Sequence, residues 1–187
     1  DFGRIAINVS GQQLQRGNLL TQVQEALTAS GLKAHCLELE ITETVLMRQD
    51  DRILEVLNQL REQGVLISID DFGTGYSSLA RLMRLPADKL KIDKSFVRRL
   101  PENEHDAAIA SSIIALGTRM GFAVLAEGVE TAAQRDFLLA EGCKQAQGYW
   151  FGRPLPPADL TSSLLPTPAL QVPKVDPSSP PLPPAPP

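Results

Sequence analysis

Two cysteines and two histidines in 187 residues leave little soft-ligand chemistry. Cys36 and Cys143 have no metal-ligand spacing and no partner pattern, so neither a zinc module nor a disulfide framework is indicated; they read as reduced core residues in a cytosolic compartment. His35 and His105 sit in loop-like contexts and are expected to face solvent. No apolar run approaches the ~18 residues of a membrane span, and no signal peptide opens the chain. Positive charge is not in excess: 18 Lys and Arg against 22 Asp and Glu give a formal net charge of −4. That balance argues against a nucleic-acid partner, whose phosphates need clustered cations. A small phosphorylated ligand remains open, because metal ions can neutralise its charge locally. Repeats at solenoid periods are absent.

What is present is an ordinary globular balance, 43% apolar and 21% charged, long enough to bury a core. Period-two alternation marks strands at Ile5–Ser10, Cys36–Glu43, Lys89–Asp93, Phe122–Glu127 and Gln145–Phe151, and the apolar run Val65–Ile69 reads as a buried strand. Helical spacing follows Gly17 up to Gly31, then recurs over Asp50–Gln63, from about Ser77 to Leu85, over Asp106–Met120, and from a capping box at Thr131–Gln134 to Gly142. The chain divides into a folded domain over residues 1–162 and a proline-rich tail over 163–187, expected to be disordered and partly polyproline II. Low complexity without a partner is the preferred reading of that tail over a proline-groove ligand.

Six strands interleaved with helices predict parallel β/α architecture, either a doubly wound sheet or a barrel. Asn8, Glu40, Asp70, Lys91, Glu127 and Gln147 each fall at or near the C-terminal end of a different strand. An open sheet serves a ligand from the few strands at its switch point, whereas every strand end of a barrel faces one mouth. The barrel is therefore expected. Parity agrees: Glu38 and Glu40 oppose Leu37, Leu39 and Ile41, so the acids can point to the axis and the bulk to the helices.

The centre of the pattern is IDDFGTGYSSL at Ile69–Leu79, a buried strand ending in two adjacent carboxylates and a glycine-rich polar loop. With Glu40, Glu43, Glu127, Glu130 and the amides of Asn8 and Gln147, these are oxygen donors without convergent His or Cys. That is the ligand set of Mg²⁺ or Mn²⁺. Such acids crowded at one mouth would repel one another unless a metal neutralised them. Two-metal hydrolysis of a phosphodiester suits the set, with Lys91 on a phosphate oxygen or the attacking water and an unliganded Glu as general base. Each residue alone has an ordinary explanation: a strand-end hydrogen bond for Asn8, a solvated end for Glu40 or Glu43, a snorkelling Lys91, a turn at Gly73 and Gly75. Only the set in order points to chemistry.

INVS at Ile7–Ser10, LEITET at Leu39–Thr44, DDFGTGYSSL at Asp70–Leu79, LPADKLKIDKSFV at Leu85–Val97, AEGVET at Ala126–Thr131 and GCKQAQGYWFGRPLP at Gly142–Pro156 together resemble the EAL-domain family of cyclic-di-GMP phosphodiesterases. The resemblance implies a modified (β/α)₈ TIM-like barrel of the α/β class. It implies metal dependence on Mg²⁺ or Mn²⁺ and hydrolysis of cyclic-di-GMP to linear pGpG in bacterial signalling. Carried over by position, Asn8, Glu40, Asp70 and Asp71 are metal ligands, Lys91 contacts the water and phosphate, and Glu127 is the candidate general base. Glu43 and Glu130 anchor the loop Phe72–Ser78, in which Gly73, Thr74 and Gly75 support the site, as does Gln147 on the last strand. The family also implies a homodimer through this domain, a sensory or GGDEF domain upstream, and a cytoplasmic location with any membrane anchor upstream. Tyr149 and Trp150 are expected to pack on the last strand.

One departure stands out. The Glu-Ala-Leu motif, whose Glu is a metal ligand of the family, belongs on a strand before INVS, and the chain starts at Asp1 without it. A (β/α)₈ domain takes ~250 residues, and six strands cannot close eight. The chain is therefore expected to be the C-terminal two-thirds of such a domain, inactive and poorly soluble alone. Retention of Asn8, Glu40, Asp70, Asp71, Lys91 and Glu127 favours catalysis over the alternatives, a non-catalytic cyclic-di-GMP sensor or a purely structural dimer partner.

Overall fold

The computed structural model describes residues 3–47, 50–75 and 78–164, with side-chain exposure described to residue 160. Strands β1 (Ile5–Asn8), β2 (Leu37–Thr42), β3 (Leu66–Phe72), β4 (Lys89–Ile92), β5 (Ala123–Ala126) and β6 (Gln145–Ala146) form one parallel sheet in sequence order. Helices α1 (Gly11–Gln15), α2 (Leu19–Ser30), α3 (Glu43–Leu46), α4 (Asp51–Glu62), α5 (Leu79–Leu82), α6 (Lys94–Val97), α7 (Glu104–Arg119) and α8 (Ala132–Ala140) fill the connections. Their starts follow local chemistry. Ser10 and Thr131 close capping boxes with Gln13 and Gln134, while Asp50 and Asn103 accept from the backbone of Ile53 and Asp106. The helix α9 (Pro157–Leu164) was not expected from the sequence; it lies in a second compact unit beginning at Pro154. Of the tail expected over residues 163–187, residues 163 and 164 close α9 and the rest falls outside the described residues.

Parity decides the layering. Leu39, Ile41, Ile67, Ile69, Leu90 and Ile92 point to the helices and are fully buried with Leu57 and Leu60 of α4 and Ile114 of α7. Burying each such side chain is worth about 1.5–3 kcal/mol. The other parity of the same strands carries Glu38, Glu40, Ser68, Asp70, Lys89 and Lys91, and this is the concave face. The curl is visible in the stagger. Along the ladders Glu40 is level with Ser68, and Ser68 with Lys89. Yet the lysine that meets Glu40 is Lys91, two residues further along β4, and Lys89 reaches back to Glu38. Two residues over two strand steps is one per strand, the shear of an eight-stranded parallel barrel. The fold is that barrel's wall, open between β1 and β6. On β1 the outward Ile5 and Ile7 are 46% and 43% exposed, so no helix covers them among the described residues.

Three boundaries differ from expectation. The strand β3 runs through both aspartates to Phe72 instead of ending at Ile69, and α5 is a single turn. The last strand stops at Ala146, not Phe151, because Gly148 packs on the backbone of Val129. A Cβ at Gly148 would lie 2.3 Å from Val129 N and O, and its φ of 151° is rarely adopted by other residues. The N–H groups of Phe151 and Gly152 then donate to Gly148 O and close a turn. Tyr149 and Trp150 thereby leave the sheet and are about half exposed, with Arg153 over the first ring and Arg135 over the second.

The entry to α7 is held by charge. Arg99 donates two bonds to the Asp106 carboxylate, at 2.7 and 2.9 Å, and this holds the acid below its ordinary range. A depressed folded pKa means that the stabilisation is complete above the unfolded value of about 3.9 and is lost as pH falls through the folded value. Asp106→Asn should therefore lower the melting temperature at neutral pH, with the difference from wild type shrinking in melts run below about pH 3.

Candidate active site

A regular strand cannot aim neighbouring residues at the same place, since successive side chains alternate between faces. The adjacent acids Asp70 and Asp71 are reconciled by a bulge. Ile69 pairs with Leu90 and Phe72 with Ile92, so three steps on β3 match two on β4. Asp71 absorbs the extra residue in the left-handed region at φ 53°, where Asp is among the few tolerated side chains. A carboxylate oxygen from each of Asp70, Asp71 and Glu127 then falls within 4.8 Å of the others.

Into this group projects Lys91 of β4, its side chain 3% exposed. Its Nζ lies 2.7 Å from Glu40 Oε1, 2.9 Å from Asp70 Oδ1 and 2.6 Å from Glu127 Oε1. Burial alone would push the ammonium towards neutrality, but its close contacts with the Glu127, Glu40 and Asp70 carboxylates outweigh it and hold the group above its ordinary range. Glu127 is displaced upward, first by burial and then by repulsion from Asp70 and Glu40, with Lys91 opposing. Asp71 also rises, through burial and the neighbouring charges of Asp70 and Asp93. Gln147, just past β6, donates Nε2 to Glu127 Oε1 at 2.7 Å.

One lysine does not balance four carboxylates. Asp70 Oδ1 is ion-paired with Lys91 Nζ at 2.9 Å, yet it is the buried side-chain polar atom left without a hydrogen bond among the described residues. A buried carboxylate oxygen without a hydrogen bond, in an all-oxygen, net-negative cluster, fits a hard divalent cation such as Mg²⁺ or Mn²⁺. The cluster borders a cavity of about 580 Å³ on the concave face, lined in part by Glu40, Glu38, Lys89 and Gln147.

The outer residues divide. Asn8 is exposed on β1 and level with Glu40, its chain tied there by the bond from Val9 N to Glu40 O. Glu43 opens α3, is buried, and accepts from Gly73 N at 2.9 Å. Gly73 can be nothing larger: its φ is 98°, and a Cβ would meet Phe96 and Ile113 at 2.9 Å. Gly75 packs on the same Glu43 carboxylate, and Thr74 donates Oγ1 to Asp71 O at 2.8 Å. Glu130 is exposed beside the α8 cap, where its N–H donates to Gln134. No side-chain bond joins it to the loop among the described residues, and Tyr76 and Ser77 lie outside them. Sequence reasoning misses Asp93, which crowds Asp71, and Lys89, which pairs with Glu38. The signal for Lys89 was its period-two spacing from Lys91; for Asp93, which caps the turn α6 by accepting from Ser95 N, it was its place at the end of the strand expected over Lys89–Asp93.

A family model for the EAL domain matches residues 2–154. The chain is 49% identical over 161 residues to cyclic di-GMP phosphodiesterase NbdA of Pseudomonas aeruginosa, covering 86% of this chain and 21% of that protein. It thus spans about a fifth of that relative's length. Among solved structures, the MucR phosphodiesterase of P. aeruginosa in complex with c-di-GMP aligns with a TM-score of 0.80 at 48% identity, over 84% of this chain and 64% of that one. A manganese and c-di-GMP complex of Klebsiella pneumoniae BlrP1 gives 0.74 at 35% identity, over 81% and 39%.

The Glu43 contact makes a local prediction. Removing the acceptor in Glu43→Ala should speed amide exchange at Gly73 by about ten- to a hundredfold, as expected for loss of one bond to a charged group. Unchanged protection, read by NMR, would mean that the loop is held elsewhere.

Proposed function

This chain belongs to the EAL domain family, and we propose that it supplies the site for hydrolysis of cyclic-di-GMP to linear pGpG. The observation that carries this reading is Lys91 held between carboxylates of three strands, beside an Asp70 oxygen with no hydrogen bond, at an open mouth. Relatives named as cyclic-di-GMP phosphodiesterases support the substrate, and the manganese complex of BlrP1 supports the cation. Asn8, Glu40, Asp70 and Asp71 would hold two ions, Mg²⁺ or Mn²⁺. Bound there, they supply Lewis acidity at the phosphoryl group and lower the pKa of water.

The chain's own groups do the rest. Lys91 and Gln147 both contact Glu127 Oε1, which fixes the carboxylate and leaves Oε2 to take the proton of the attacking water. The raised affinity of Glu127 for a proton makes it a stronger base than an ordinary carboxylate. The water oxygen bonds to phosphorus, the P–O3′ bond breaks, and the 3′ oxygen is protonated, consuming one water per ring opened. Lys91 offers its charge to the phosphoryl oxygens, where negative charge grows. Glu43, Gly73, Thr74 and Gly75 order the loop beside Asp71, and Glu130 is proposed to assist.

Asp70→Asn, Lys91→Met and Glu127→Gln should each lower kcat by about a thousandfold in the full-length protein with Mg²⁺ or Mn²⁺. Since the base works deprotonated and its pKa is raised, the acid limb of kcat/KM should lie above the ordinary carboxylate value of about 4.3. Turnover that survives these changes would sink the mechanism, and wild-type binding without turnover would establish a sensor instead.

Self-association is part of the proposal. Leu79 and Met83, four residues apart at α5, are 57% and 75% exposed, an apolar pair suited to a second copy. Upstream sensory or cyclase domains fit relatives of which this chain is about a fifth. Met83→Glu should convert a dimer to monomer in sedimentation, and an unchanged sedimentation coefficient would place the interface elsewhere.

A further inference from the structure

Beneath the cluster around Lys91 lies a second charged layer that the proposed mechanism does not use. Two residues earlier on the same strands and the same face stand Glu38, Ser68 and Lys89. Lys89 Nζ is 2.7 Å from both Glu38 oxygens, and the Ser68 hydroxyl donates to Glu38 Oε1. The lysine and glutamate side chains are only 10% and 4% exposed. Buried ion pairs are seldom the most stable filling for a protein interior, so one kept under a reactive cluster calls for a structural reason.

That reason follows from the topology. Glu38 and Glu40 lie on β2, Lys89 and Lys91 on β4, and β3 runs between. Ladder bonds fix each strand to its neighbour but not how far β2 and β4 lean together across the concave face. Only side chains that cross β3 set that distance. Among the described residues there are two such crossings, Lys89 to Glu38 and Lys91 to Glu40. The upper one sits where the Asp70–Asp71 bulge interrupts the β3–β4 register, so the ladder is weakest where geometry matters most. The lower one sits where Ser68 and Lys89 still pair. Both members of the lower pair line the cavity, which leaves space for either to swing if its partner is lost.

We propose that Glu38 and Lys89 are positioning residues, a buried brace that sets the reach of Lys91 to Glu40 and Asp70. Its consequence for turnover rests on the hydrolysis proposed above; its consequence for geometry does not. In the full-length protein, Lys89→Met should lower kcat about tenfold with KM changed less than about threefold, and Lys89→Arg should recover most of the loss. The double variant Glu38→Gln/Lys89→Met removes both charges. It should regain the stability lost by the single variant while kcat stays about tenfold down. A double variant with wild-type kcat would overturn the proposal and make the pair mere filling. Should Lys89→Met not fold, the double variant decides alone. A crystal structure of either variant settles the geometry whatever the site catalyses. Displacement of Lys91 Nζ from Glu40 supports the brace, and retention of all three carboxylate contacts within about 3 Å refutes it. Absence of cyclic-di-GMP turnover in wild type would remove the hydrolysis reading and leave that crystallographic comparison to judge the brace.

Discussion

The ammonium of Lys91, buried among Glu40, Asp70 and Glu127, ties together four strands that backbone bonds join only in pairs. A cation so enclosed is tolerable because each of its neighbours is a carboxylate, and the carboxylates are tolerable because the cation is there. The balance is incomplete, with negative charge in excess and one Asp70 oxygen ion-paired but without a hydrogen bond. This residual imbalance is what sets the cluster apart from a structural salt bridge and supports the proposed site, by leaving capacity for further positive charge and for a polarised substrate. Glu127 and Asp71 are displaced upward first by burial, and the same excess of negative charge adds to it.

Delivering the carboxylates requires a defect in the sheet. Regular β3 geometry would send Asp71 towards the helices, into the layer occupied by Ile67 and Ile69. The bulge spends one residue in the left-handed region to turn it back, and Gly73 then packs against Phe96 and Ile113 where no side chain fits. Glu43 holds the far side of this loop through Gly73 N. The site therefore depends on an apolar anchor and an acidic one acting on a short, strained stretch.

The wall itself is built by separation of parities. On β2, β3 and β4 the helix-facing positions are apolar and almost without exposure, and the concave positions carry two charged tiers. The lower tier is neutral, one lysine to one glutamate, and the upper is negative. The proposed brace gives the lower tier a part in holding the upper one open to a ligand, while a stagger of one residue per strand lets each lysine reach a glutamate two strands away.

By itself the sequence determined the parallel β/α order, the apolar and polar parities, and the oxygen-only donor set, because these follow from local periodicity and side-chain chemistry. It also carried the family, through motifs in fixed order. Other features were decided only by tertiary structure. That Asp70 and Asp71 share a face depends on a register slip between β3 and β4, which no local pattern encodes. That the last strand stops at Ala146 depends on Gly148 meeting Val129 from another loop. The pairing of Lys89 with Glu38, and of Lys91 with Glu40, depends on barrel shear, a property of how strands are stacked and not of any one of them. Period-two spacing can say which residues look inward; only the curl of the sheet says which of them meet.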